Sequence, residues 1–182
     1  MRMDKLTSKF QIALGDAQSL AVGKEHQFIE PMHLMIALLD QQGGLVRHLL
    51  AKSGAKVNLL RSRLGDALDQ LPQVQGADGD VHISSDLSKL LNVTDKLAQD
   101  KGDQYISSEM FVLAACQDQG ALGKIFAEAG APTAAVEAAI DEIRGGAQIN
   151  DPNAEDTRQA LEKYTIDLTE QAEQGKLDPI IG

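Results

Sequence analysis

"QFIEPMHLMIALLDQQGG" (residues 27–44) and "QYISSEMFVLAACQDQGA" (residues 104–121) are two spellings of one phrase in a chain of 182 residues. Phe28 and Tyr105 lie 77 positions apart, and so do Ile29 and Ile106, Leu34 and Phe111, Ala37 and Ala114, Gly43 and Gly120, and Leu45 and Leu122. One residue is then lost, because Gly54 and Gly130, Leu60 and Val136, and Leu64 and Ile140 differ by 76. Upstream, Leu20-Ala21 lies over Leu97-Ala98. The self-similarity covers about residues 7–69 and about 84–144. Two copies are too few for an open solenoid, which needs three or more. A pseudo-twofold pair of bundles sharing one core is expected.

Each copy reads as four helices. In the first, Leu6, Phe10, Ala13, Leu14, Ala17, Leu20 and Ala21 recur at helical spacing. Pro31 suits the first position of the second helix, where a missing N–H costs nothing. Ser107 takes the matching cap site in copy two, with Glu109 in the first turn, favourable to the helix dipole. The repeated phrase is thus a helix start followed by a buried helix. Gly43-Gly44 is expected to stop one such helix and Gly120 the other. A short helix ending at Gly54 or Gly130 follows in each copy, and a longer one closes it. The fold class is all-α: two tandem repeats of about four helices each, over residues 1–145. Between the copies, "PQVQGADGDVHIS" (72–84) reads as a loop.

After Arg144 the character changes. Gly145-Gly146 and Pro152 mark residues 146–158 as a flexible linker. Leu161, Tyr164, Leu168 and Ala172 then share one helical stripe, expected to be the first helix of a further module cut off at "LDPIIG".

Composition narrows the function. Leu and Ala dominate a chain with 43% apolar and 3% aromatic residues, which favours packed helices over sheets. Twenty-seven acidic against 17 basic residues leave a formal charge of −10, which repels phosphate backbones and anionic lipid. Neither nucleic acid nor a membrane is an expected partner. The single cysteine, Cys116, reads as an inert core thiol in a reducing compartment. No secretory h-region and no span-length apolar run is seen, so the expected location is the cytoplasm.

Chemistry is scarce. Gly175-Lys176 lacks the rest of a phosphate-binding loop, and no nucleophile elbow, paired cysteines or HExxH is present. Glu30-x-x-His33 has the spacing of di-iron bundle ligands, but the matching positions in copy two are Ser107 and Met110. A capping Glu30 and a half-buried His33 are the plainer reading; a metalloenzyme resting on the pair is the rival. His26, His48 and His82 are expected to be exposed. Asp103 and Glu109 read as a loop charge and a first-turn helix acid, not an acid–base pair. What remains is a binding surface, since grooves between helical repeats take up apolar segments of partners. On "DLSKLLNVTDKLAQ" (86–99), Leu87, Leu90, Leu91, Thr94, Leu97 and Ala98 form the buried stripe, and Val93 lies off it.

"MRMDKLTSKFQIALGDAQSLA" (1–21), "FIEPMHLMIALL" (28–39), "ISSEMFVLAA" (106–115) and "KYTIDLTEQAEQGKLDPIIG" (163–182) closely resemble the start of the Clp ATPases. "MRMDKLT" together with "ISSE" places the likeness in the disaggregase branch of that family. The resemblance runs over the whole chain and implies a mobile N-terminal domain that binds exposed hydrophobic stretches of unfolded or aggregated polypeptide. It implies Thr7, Asp103 and Glu109 as site residues, with a groove around Leu90, Leu91, Val93 and Met110. It makes residues 159–182 the start of the first ATPase module, in which Asp178, Pro179, Ile180, Ile181 and Gly182 would approach adenine. ATP and magnesium, a homohexamer, a coiled-coil element and collaboration with the DnaK system are implied for the full-length family member only. For the 182 residues themselves no enzymatic activity, no cofactor and a monomer are expected. Docking of a folded adaptor, the use of this domain elsewhere in the family, is the alternative.

Overall fold

The computed structural model describes residues 3–75 and 81–155. Among the described residues, eight α-helices form two consecutive sets of four. The first comprises α1 (Ser8–Gly23), α2 (Pro31–Asp40), α3 (Val46–Lys52) and α4 (Val57–Asp69), and the second α5 (Ser85–Asp100), α6 (Ser108–Gln117), α7 (Ala121–Glu128) and α8 (Thr133–Arg144). This is the expected pair of four-helix repeats.

The repeated phrase supplies the central helix of each set. Every residue from His33 to Leu39 in α2 and from Ser108 to Ala115 in α6 is buried. A helix wrapped on all sides must be apolar on all sides, which is why "LMIALL" and "MFVLAA" run without a polar break. α1 packs on α2 and α5 on α6, while α3 meets α8 and α4 meets α7 across the pseudo-dyad. Phe10 of α1 and Phe111 of α6 touch edge to face with centroids 6.1 Å apart, so a single core crosses the repeat boundary.

Two short backbone pairings also join the repeats. β1 (Phe28–Ile29) and β2 (His82–Ile83) run parallel with Ile29 opposite Ile83. Leu6 pairs in parallel with Ile106. Adding 77 to Leu6 gives Ile83, and adding 77 to Ile29 gives Ile106. Each repeat therefore lends the stub before its first helix to the stub before the other's second helix.

Helix ends depart from expectation at two places. Gly54 and Gly130 do adopt positive φ (91° and 74°), as stops between the third and fourth helices require. Gly120, however, is extended and is the N-cap of α7; α6 has already ended at Asp118. Ser107 holds the N-cap position of α6 without making a side-chain cap bond. Its hydroxyl is drawn to Arg144 instead.

Candidate functional site

A cleft of about 310 Å³ opens on the seam between the repeats. Its walls are the start of α2 (Glu30, Pro31, Met32), the outer face of α5 (Asp86, Lys89, Leu90, Val93) and the α6–α7 turn (Asp118, Gly120, Ala121, Leu122). The aliphatic lining belongs to Pro31, Met32, Leu90, Val93, Ala121 and Leu122. Val93 is 42% exposed, a large apolar side chain left open to water on an otherwise polar helix face. Three carboxylates, Glu30, Asp86 and Asp118, stand around it against one ammonium, Lys89. Such a cleft favours a segment that carries apolar side chains with positive charge nearby.

Local structure builds each wall. In α2, Glu30 and His33 form a reciprocal capping box, and His33 Nδ1 accepts the Glu30 backbone N–H at 2.8 Å. His33 is wholly buried, not half-buried, and His26 is buried rather than exposed. The two rings meet at 2.8 Å, His26 Nδ1 to His33 Nε2. Because Nδ1 of His33 accepts, its Nε2 must carry the hydrogen and donate to His26. Both nitrogens of His33 are thereby engaged, which leaves neither for a metal. Burial, then the neighbouring His26, depress His33 to about 4; burial and Lys24 lower His26 as well. Among the described residues no group of three or more His, Cys, Asp or Glu is placed to hold a metal ion. Cys116 is half-buried, and burial pushes its thiol up to about 12, which keeps it unreactive.

At the α6–α7 turn, Gly123 N–H donates to Asp118 Oδ2 at 3.3 Å. A Cβ on Gly123 would lie 1.7 Å from the Asp118 carbonyl oxygen. Only glycine admits this approach, and the approach aims the Asp118 turn into the cleft.

The seven residues named from the resemblance fall into three places. Leu90 and Val93 line the cleft. Leu91 and Met110, expected in its wall, are core residues, Met110 wholly inaccessible on the all-round-buried α6. Thr7, Asp103 and Glu109 come together at a separate buried polar cluster. There Arg144, the last residue of α8, forks onto Asp103 at 3.0 and 2.9 Å, approaches Glu109 at 3.4 Å and donates to Ser107 Oγ at 3.1 Å. Asp103 and Glu109 are therefore not solvated charges, since both side chains are essentially inaccessible. The hydroxyl that would have capped α6 serves Arg144 instead.

The α6 cap comes from Glu155. Its Oε1 accepts the Ser108 N–H at 2.7 Å and the Thr7 hydroxyl, and its Oε2 accepts Ser108 Oγ at 2.8 Å. A carboxylate at a helix N-terminus is favourable, yet burial and then Glu109 nearby raise the Glu155 carboxyl above its ordinary range. Residues 146–155, for which a flexible linker is expected, run along the repeats here. Gln104 and Tyr105 donate to Ile149 C=O at 2.8 and 3.1 Å, Asp103 accepts the Ile149 N–H at 3.1 Å, and Ser8 N–H bonds Pro152 C=O at 2.8 Å. Sequence reading singled out neither Arg144 nor Glu155. The one available signal was an arginine closing a helix just before two glycines.

Two stacked four-helix repeats with a cleft on their seam define the class of protein. The family model for the Clp repeat (R) N-terminal domain matches residues 5–129, and the chain belongs to that family. Over all 182 residues it is 59% identical to the chaperone protein ClpB of Vibrio cholerae, and 57% identical to that of Pseudomonas putida. The chain spans 21% of the length of each of these relatives. Among solved structures, the Hsp104 N-terminal domain from Candida albicans matches with a TM-score of 0.74 at 20% identity, over 83% of this chain and 99% of that one. A ClpV N-domain in complex with a VipB peptide matches with a TM-score of 0.62 at 21% identity, over 80% and 90%. At these identities the structures speak for the fold. The segment 159–182, including Asp178 to Gly182, lies outside the described residues.

Proposed function

We propose that the seam cleft is the client site of the N-terminal domain of a ClpB-type disaggregase. It binds exposed aliphatic segments of unfolded or aggregated polypeptides, favouring those flanked by lysine or arginine. The observation that carries this reading is Val93 standing open among aliphatic neighbours, with Glu30, Asp86 and Asp118 around it. A cleft of this size buries little, and a disordered client must be ordered to fit it, so binding is weak. Weak binding suits a domain that passes its client on. ATP hydrolysis, magnesium, the hexameric ring, the coiled-coil element, threading and work with DnaK belong to parts of a longer cytoplasmic protein. These 182 residues, monomeric on their own, contribute capture.

The test is a pair of titrations followed by amide chemical shifts, using two extended peptides with one aliphatic core, flanked by lysines or by glutamates. The lysine peptide should shift α5 and the α6–α7 turn and bind at least threefold tighter at low salt. Equal binding, or shifts located elsewhere, would overturn the assignment. Docking of a partner's own peptide or of a folded adaptor is the second reading, favoured by the ClpV N-domain whose structure holds a VipB peptide. A folded partner that competes with the lysine peptide would select it.

A further inference from the structure

The cleft does not use the polar cluster, and the polar cluster does not touch the cleft. What the cluster holds is the segment that leaves the last helix. Residues 146–155 have two buried anchors, Ile149 and Glu155, and the chain between them is largely exposed. Each anchor is seated by residues of the repeats. Ile149 is fixed through both of its backbone groups, its N–H on Asp103 and its C=O on Gln104 and Tyr105. Glu155 is fixed by Thr7 of the α1 cap and by Ser108 of α6. Arg144 joins Asp103, which holds Ile149, to Ser107 and Glu109, the residues on either side of Ser108.

We propose that residues 146–155 form a releasable strap whose latch is Glu155, and that Thr7, Asp103 and Glu109 are positioning residues for it rather than client contacts. The arrangement has the marks of a contact made to open. Arg144 serves two carboxylates, Asp103 and Glu109, while the charged neighbour of Glu155 is Glu109, a like charge. Burial next to a like charge works against the docked carboxyl, so the strap is held by geometry and opposed by electrostatics. Only two of its ten residues are buried, so its docking free energy is a small part of the domain's. Release frees ten residues, and a fully extended chain of that length spans roughly 35 Å. A latched strap holds residue 155 against α1 and α6; an open one lets residue 155 reach away from them. This inference is independent of the cleft.

Native-state hydrogen exchange on the 182-residue chain tests it, read at Gln104, Tyr105 and Ser108, whose amides bond the strap, and at interior amides of α2 and α5. E155A should speed exchange at the first three at least tenfold and leave α2 and α5 unchanged. E155Q keeps an acceptor for the Ser108 N–H and a donor for its hydroxyl, and should restore most of the protection. T7V should act like E155A, more weakly. Two results would overturn the proposal. If E155A leaves the three amides as protected as before, Glu155 is no latch. If it speeds exchange throughout α1–α8, the cluster is scaffold and the strap cannot open alone.

Discussion

Thr7 and Ser84 hold one post, 77 residues apart. Each caps the first helix of its repeat from extended backbone and takes the N–H three residues on, Phe10 at 3.4 Å and Leu87 at 3.0 Å. The dyad that equates them is broken by what lies outside. Thr7 also donates to Glu155, so its end of the molecule is covered by the strap. Ser84 stands two residues before Asp86, at the end that carries the open cleft. The repeated phrase differs where the two ends differ. Ser108 offers an N–H to Glu155, whereas its counterpart Pro31 has none to offer. Glu109 faces Arg144, whereas its counterpart Met32 lines the cleft.

Val93→Asn should separate binding from folding. Val93 is open to solvent, so the fold loses only helix propensity, about 0.5 kcal/mol or less. The cleft loses its one exposed large apolar side chain without any change in charge. Affinity for the lysine-flanked aliphatic peptide should fall about three- to tenfold, read by titration beside a thermal melt. An early melt with unchanged affinity would make Val93 structural.

Leu90 and Leu91 are the contrasting case, and they show where sequence reading stops. The helical stripe of α5 was legible, and so was Val93's place off it, because burial follows a period of 3.6 residues. Periodicity does not say which part of a stripe meets a seam, so Leu91 and Met110 were expected in the cleft although they lie in the core. The central helices and the two-repeat architecture were legible because the phrase is spelled twice. The burial of Asp103 and Glu109 was not, since their cation lies 41 and 35 residues further on, at the end of α8. The parallel stubs at Leu6, Ile29, Ile83 and Ile106 are too short to show any alternation.

Gly123→Ala should damage the cleft through backbone alone. The new Cβ would meet the Asp118 carbonyl at 1.7 Å, a clash that rotamer change cannot relieve. Either the α6–α7 turn moves or the helix start does. Overpacking of this kind costs about 1–3 kcal/mol or more. Amide shifts of Asp118 to Leu122 should change and peptide affinity should fall together with the melting temperature.

Arg144→Ala should be the costliest single change in the polar cluster. It strands Asp103 and Glu109, both buried, without their shared cation, and breaking such a pair costs about 3–5 kcal/mol. For a domain of this size that corresponds to roughly 6–20 °C in melting temperature. Arg144→Lys should recover only part of it, because an ammonium cannot fork onto Asp103 while reaching Glu109 and Ser107. Equal melting of wild type and Arg144→Ala would mean the cluster contributes nothing to stability.

The histidine pair sets an acid limit on the fold and, through it, on the cleft. His33 Nδ1 is occupied by the Glu30 N–H, and His26 Nδ1 by the proton of His33 Nε2. A proton added to either Nδ1 sets N–H against N–H, so charging the pair means breaking it. The folded pKa of His33, about 4, lies below its ordinary 6.5. The unfolded chain therefore binds more protons between those values. Stability is fully present above pH 6.5 and is lost as pH falls toward 4, by roughly 2–3 kcal/mol for His33 alone. At His26 burial and then Lys24 oppose the added charge, whereas Asp69 and Glu30 favour it. Two measurements check this. The imidazole resonances of His33 should not titrate between pH 7 and 5.5, and the melting temperature should drop across pH 6.5 to 4. His33→Gln should flatten part of that drop while lowering stability at pH 7. Because Glu30, Pro31 and Met32 wall the cleft, peptide binding should weaken in step with the loss of the pair. Ordinary titration of His33 near 6.5 would show that the pairing does not exist in solution.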